Sequence, residues 1–177
     1  MMRIHLELHD AMSDFLLRHL TGDDAEAFRE FRFEGLKLYP TAFGSDYQYE
    51  SIQSLAFFRT RIENNATFGA FLSDGALVNV AGLIVQSGAK VKHKGLLVGT
   101  YAQPRVRGTG LAKALLDHVL AYARTVVEEV TLKVACDNPS AIRLYQQAGF
   151  QVYGREPREL KIDGVYHDSL CMRLCFA

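Results

Sequence analysis

Gly95-Leu96-Leu97-Val98-Gly99-Thr100-Tyr101-Ala102-Gln103-Pro104-Arg105-Val106-Arg107-Gly108-Thr109-Gly110-Leu111-Ala112 carries an apolar strand into a proline, then a glycine-rich turn, then directly into a helix. Such a turn leaves several backbone N–H groups unpaired at the positive end of a helix, an arrangement that suits a pyrophosphate. Gly108 and Gly110 have no side chain to hold phosphates away, and Arg107 adds a formal positive charge. Neither of the commoner phosphate loops fits. A P-loop lysine is missing, and Lys113 stands where the third glycine of a GxGxxG motif would fall. The bland alternative is a turn that only lets a helix pack closely.

Outward from this stretch, periodicity predicts the remaining elements. Leu111, Leu115, Val119 and Tyr122 form one helical stripe, so a helix is expected from Gly108 to about Val127, followed by a strand from Val130 to Ala135. Upstream, 67–73 and 76–87 read as strands around the tight-turn dipeptide Asp74-Gly75. A first strand at 15–20 precedes a capping-box-like start, Thr21 with Asp24, of a helix that runs to Leu38 and is ended by Pro40. Ser45 and Gln48 suggest one further helix to about Glu63. Downstream come a short helix from Ser140 to Ala148 stopped by Gly149, a strand at 151–162, a turn at Asp163-Gly164 and a strand at 165–176. The order β-α-α-β-β-β-α-β-α-β-β predicts an α/β fold: a mixed, largely antiparallel sheet with one parallel crossover and helices packed on it.

Composition bounds the function. The 177 residues suit one domain with one core, taken here as 13–177, with 1–12 an N-terminal extension or extra strand. Twenty basic side chains balance twenty acidic ones, which argues against a dedicated nucleic-acid binder. No apolar run nears the roughly 18 residues of a membrane span, and no leader pattern opens the chain, so a cytoplasmic location without membrane attachment is expected. Cys136, Cys171 and Cys175 lack CxxC spacing and the six histidines form no HxxxH pair, so neither a metal site nor a disulfide framework is expected.

A second segment sharpens the chemistry: Asp137-Asn138-Pro139-Ser140-Ala141-Ile142-Arg143-Leu144-Tyr145-Gln146-Gln147-Ala148-Gly149-Phe150. Asn138 stands where strand gives way to helix and can offer its amide to a ligand running along the sheet. Tyr145, on that helix, can supply an O–H. Singly, Asn138 reads equally as an N-cap and Tyr145 as a packing aromatic.

Together the two segments resemble the GNAT superfamily of acetyl-CoA-dependent N-acetyltransferases. The R/Q-x-x-G-x-G/A signature is met around Arg107-Gly108-Thr109-Gly110-Leu111-Ala112, and N-x-x-A-x-x-L-Y-x-x-x-G-F is met throughout from Asn138 to Phe150. The resemblance covers about residues 68–176 and is weaker before that; Ala102 replaces a usual valine, and Val106 stands where an aromatic or histidine often sits. It implies a single-domain fold whose strands 94–102 and 129–135 splay apart. It also implies acetyl-CoA as cosubstrate without a metal: the pantetheine arm lies against the backbone of Tyr101, Ala102 and Gln103, and the pyrophosphate on N–H groups from Arg107 to Ala112. A backbone N–H near Ala102 would polarise the thioester, and Tyr145 would protonate the departing thiolate.

The resemblance also exposes a gap. Many relatives take the amine's proton with a glutamate on the strand before the loop, but no acidic residue occurs from Ala89 to Gln103. Glu34, Asp46, Glu50 and Asp168 are the candidate substitutes. Tyr39, Phe43, Tyr47, Tyr49, Tyr166 and His167 are candidates to line an acceptor site. The expected acceptor is an amine, a small molecule in preference to a protein N-terminus. A homodimer is common among relatives. The rival readings are a catalytically silent acyl-CoA-binding regulatory module and a scaffold whose glycine-rich turn binds nothing.

Overall fold

The computed structural model describes residues 15–176; the expected extension at 1–12 lies outside the described residues. Among the described residues seven strands form one sheet in the order β1-β2-β3-β4-β5-β7-β6. These are β1 (Phe15–His19), β2 (Ala66–Leu72), β3 (Leu77–Val85), β4 (Lys94–Ala102), β5 (Glu129–Ala135), β6 (Gln151–Ile162) and β7 (Val165–Cys175). Of the neighbouring pairs among these strands only β4 and β5 are parallel, joined by the crossover helix α4 (Leu111–Val126). The remaining helices are α1 (Ala25–Leu38), α2 (Tyr47–Ser51), α3 (Leu55–Asn64) and α5 (Pro139–Gln147). No helix among the described residues is long and apolar enough to cross a membrane.

The turn chemistry is as the sequence requires. Gly75 takes φ +83° in the first hairpin, and Asp163 and Gly164 take φ +48° and +83° in the last, the positive pair a two-residue hairpin demands. The single helix expected over 45–63 is instead two. Asp46 caps α2 by accepting from the Tyr49 N–H at 2.7 Å, and Ser54 starts α3 by accepting from Phe57 N–H. A serine that caps a new first turn competes with continuation of the old helix. The long helix starts at Leu111 rather than Gly108, because Gly108 and Gly110 adopt left-handed φ of +78° and +86°.

Two large apolar clusters and a smaller one, of Ala70, Val78, Val106 and Leu111, cover the sheet. Of the large two, one joins the Leu115, Leu116, Val119 and Leu120 stripe of α4, with Tyr145 of α5, to Leu83, Leu97, Val130 and Leu132. The other joins Phe28 and Phe31 of α1 and Phe58 of α3 to Phe71, Val80 and Tyr101. Each fully buried large side chain contributes about 1.5–3 kcal/mol. Leu97 and Tyr101 are four residues apart on β4 yet belong to different clusters. The reason is a bulge. Val80 pairs with Tyr101 but Gly82 with Val98, so Gly99 and Thr100 oppose Ala81 alone, with Gly99 at φ +62°. One extra residue reverses which face later side chains occupy.

Candidate active site

The parallel pairing of β4 with β5 lasts three residues, Lys94, Gly95 and Leu96 against Glu129, Val130 and Thr131. Beyond it β5 continues to pair with β7, while β4 stays with β3, so the two strands part. The gap widens into a cleft of about 680 Å³ bounded by β4, the 107–113 turn, the start of α5 and the 39–42 turn. An unfilled strand edge facing another is an unusual feature, since backbone polar groups inside a sheet are normally paired.

The polarity of the β4 edge follows from its pairing. Gln103 N–H donates to the Val78 carbonyl at 3.0 Å. Successive peptide groups alternate direction, so the Ala102 N–H and carbonyl face the gap instead. The carbonyl accepts from Arg107 Nε at 3.1 Å, leaving the N–H. Tyr101 and Ala102 line the cleft. Gln103 is turned away: its Nε2 donates to Glu34 Oε2 at 2.7 Å and its Oε1 accepts from Arg105 Nε at 3.0 Å.

At the far end, the loop is braced from within. Thr109 Oγ1 donates to the Val106 carbonyl at 2.8 Å, and Leu111 is buried against Val78 and Val106. The N–H groups of Gly108, Gly110, Ala112 and Lys113 donate to no acceptor among the described residues. A Cβ placed on Gly108 or Gly110 would meet no heavy atom within 4 Å, so the ground above these amides is open. These are the conditions for seating a diphosphate. Arg107 is placed otherwise than expected, its guanidinium over the Tyr39 ring at 4.3 Å with NH1 donating to Tyr39 Oη at 2.9 Å. Its charge still borders the cleft, joined by Lys113 and Arg143, two lining cations not singled out from the sequence. Their positions, one turn beyond Gly110 and Asn138, are the signal that identifies them.

On the α5 side, Asn138 Oδ1 accepts from Ala141 N–H at 3.1 Å and Ser140 Oγ at 3.0 Å, so it is the helix cap. Its amide nitrogen remains for the cleft that Asn138 also lines. Tyr145 is buried, its ring packed edge-on to Phe150. Burial raises the Tyr145 phenol pKa, and the Thr100 hydroxyl beside it offsets this in part.

The four candidate carboxylates have separate duties. Glu50 is 0% exposed and clamped by Arg32 and Arg61. Asp46 caps α2. Asp168 accepts from the Arg158 backbone N–H at 2.8 Å and from Arg155, which fixes the β6 bulge where Arg158 takes φ +58°. Glu34 alone reaches the cleft's lining, accepting from Tyr101 Oη at 2.8 Å. Burial first, and then this bond, push the Tyr101 phenol pKa well above the usual value. Of the candidate acceptor aromatics, Tyr39 lines the cleft and Phe43 packs behind it against Tyr101. Tyr47 packs on Phe33, Tyr49 is exposed, and Tyr166 lies under Arg158 at 3.7 Å. His167 Nδ1 is 3.9 Å from Asp137, a lining residue.

A further lining residue not singled out from the sequence is Asn79. Asn79 on β3 is buried with both amide atoms unpaired among the described residues. Each such group costs about 1–3 kcal/mol. Its signal was a lone amide in the apolar strand LVNVAGLIV.

A family model described as the acetyltransferase (GNAT) family matches residues 27–150. The chain belongs to the GNAT acetyltransferase family. It is therefore an acetyl-CoA-dependent N-acetyltransferase. The GNAT chain is 30% identical over 123 residues to a spermidine N(1)-acetyltransferase of Vibrio cholerae, covering 68% of this chain and 70% of the relative. It is 31% identical over 153 residues to an aminoglycoside N(6')-acetyltransferase of Stenotrophomonas maltophilia, covering 81% and 94%. Its fold matches a GNAT phosphinothricin acetyltransferase of Sinorhizobium meliloti solved with acetyl-CoA: TM-score 0.80, 20% identity, 93% and 89% coverage. A GNAT acetyltransferase of Streptococcus pneumoniae gives TM-score 0.81 at 23% identity, with 92% and 100% coverage.

Proposed function

We propose that this GNAT enzyme acetylates a primary amine of a small cationic molecule, which attacks the thioester directly. The observation that carries the reading is the single continuous cleft linking unpaired amides at 108–113 to Ala102 and Tyr145. Acetyl-CoA supplies an activated acyl carbon and a sulfur leaving group. The amides of Gly108, Gly110, Ala112 and Lys113 would hold its diphosphate, with Arg107, Thr109 and Leu111 shaping the turn that presents them. The Ala102 N–H, fixed by the strand, donates to the carbonyl oxygen as negative charge gathers there; one such donor contributes about 3–4 kcal/mol.

Tyr145 holds the proton for the departing sulfur. A free phenol, pKa about 10, is a weaker acid than a thiol, pKa about 8.5, so positioning must assist the transfer. Asn138 would reach the pantetheine arm through its remaining N–H. As the new C–N bond forms and the C–S bond breaks, the amine's own proton passes to solvent water while the Tyr145 proton goes to the sulfur. Glu34 supports the acceptor reading: its carboxylate, held by Tyr101 and Gln103, is suited to attract an ammonium group beside the Tyr39 ring. The related enzymes are named for spermidine and for aminoglycosides, small molecules that carry several amino groups, and they favour the same class.

The test is a thiol-release assay with acetyl-CoA on a panel of polyamines, aminoglycosides, amino acids and a peptide N-terminus. Turnover highest with small cationic amines is expected. Binding of acetyl-CoA without turnover on any amine would instead mark a regulatory module.

A further inference from the structure

Asn79 interrupts an otherwise apolar strand and is 1% exposed. Among the described residues it alone has buried side-chain polar atoms with no partner, and both Oδ1 and Nδ2 are affected. Its cross-strand neighbours are Ala70 on β2 and Ala102 on β4, whose methyl groups are too short to cover a carboxamide. What remains beside it is the cleft, whose wall it forms together with Ala102. For the unliganded fold an apolar side chain of similar size would serve better, because it has nothing to desolvate. The amide therefore answers to something that enters the cleft.

A carboxamide offers one acceptor oxygen and an NH2 donor a fixed distance apart. A cation or a phosphate uses only one of these. A secondary amide, with its own C=O and N–H, satisfies both, and the pantetheine arm of CoA is built around such amides. The position fits, since Asn79 lies opposite Ala102, whose N–H faces the gap, and lines the same cleft as the 108–113 turn and Tyr145. We propose that Asn79 binds the acyl donor by pairing its carboxamide with an amide of the pantetheine arm. This rests on the reading of the cleft as the acetyl-CoA site.

Calorimetric titration of wild type, Asn79→Ala and Asn79→Leu tests it, with two ligands: acetyl-CoA and phosphoadenosine diphosphate, the nucleotide half of CoA without the arm. Both variants should lose about ten-fold in affinity for acetyl-CoA and none for the nucleotide. In kinetics the KM for acetyl-CoA should rise by a similar factor while kcat changes little, as expected for a contact made equally before and during reaction. The unliganded Asn79→Leu protein should melt no lower than wild type, which also secures the test should the alanine variant fail to fold. Wild-type acetyl-CoA affinity in the variants, or equal loss for both ligands, overturns the assignment of Asn79 alone. A wild-type protein that binds neither ligand overturns the cleft reading itself.

Discussion

The Tyr145 hydroxyl is held by a buried ring on α5, behind a strand edge that lacks a neighbour, with Thr100 beside it. Burial disfavours the phenolate, so the group stays protonated through neutral pH and beyond its ordinary pKa of about 10. Replacing Tyr145 with Phe keeps the ring packing and removes the proton. Turnover should fall by about ten-fold or more while acetyl-CoA affinity, read by calorimetry, stays within about two-fold. Equal turnover would reduce Tyr145 to a packing residue. The same shift predicts the pH profile: with the acid protonated throughout, kcat/KM should climb with amine deprotonation and show no falling limb below about pH 10. A decline near pH 8 would mean a different proton donor. The positions of Asn138 and Tyr145 were legible because the cap and the following helix are local. Asn79 and the pairing of Glu34 with Tyr101 were not, because each depends on register or helix docking across distant segments.

At the scale of elements, α1, α2 and α3 are tied by one carboxylate. Glu50 of α2 accepts from Arg32 of α1 and, at 2.9 Å, from Arg61 of α3. Burial alone would raise the Glu50 pKa, but the bonds and charges of the arginines outweigh it and the net shift is downward. Glu50→Gln should lower unfolding stability by about 3–5 kcal/mol in urea titration, since two guanidinium groups lose their counter-charge. Little change would mean the network contributes nothing. A depressed folded-state pKa stabilises above the unfolded carboxylate value, about 4, and the contribution is lost as pH falls through the folded value. Wild type should therefore lose more stability than Glu50→Gln as pH falls below the unfolded carboxylate value of about 4. From sequence, Glu50 read as a possible base on a single long helix. Ser54 breaks that helix, and only the resulting turn brings Glu50 inside. The first and last hairpins were legible because their turns hold Gly75, and Asp163 with Gly164, at positive φ. The bulge at Gly99, which carries Tyr101 to the opposite face, follows from pairing with β3 and leaves only an ambiguous glycine in the sequence.

For the whole molecule, one parted strand pair places the open amides of the 108–113 turn and the buried Tyr145 side chain on one cleft. A ligand that binds only the folded chain raises its stability by about 2.7 kcal/mol at one hundred times its Kd. For a chain of this length that corresponds to roughly 5–11 °C in Tm. Thermal melting with and without saturating acetyl-CoA is therefore the most direct measurement of whether this cleft holds the acyl donor. A rise of that size is the predicted result, and an unchanged Tm at saturating acetyl-CoA would contradict it.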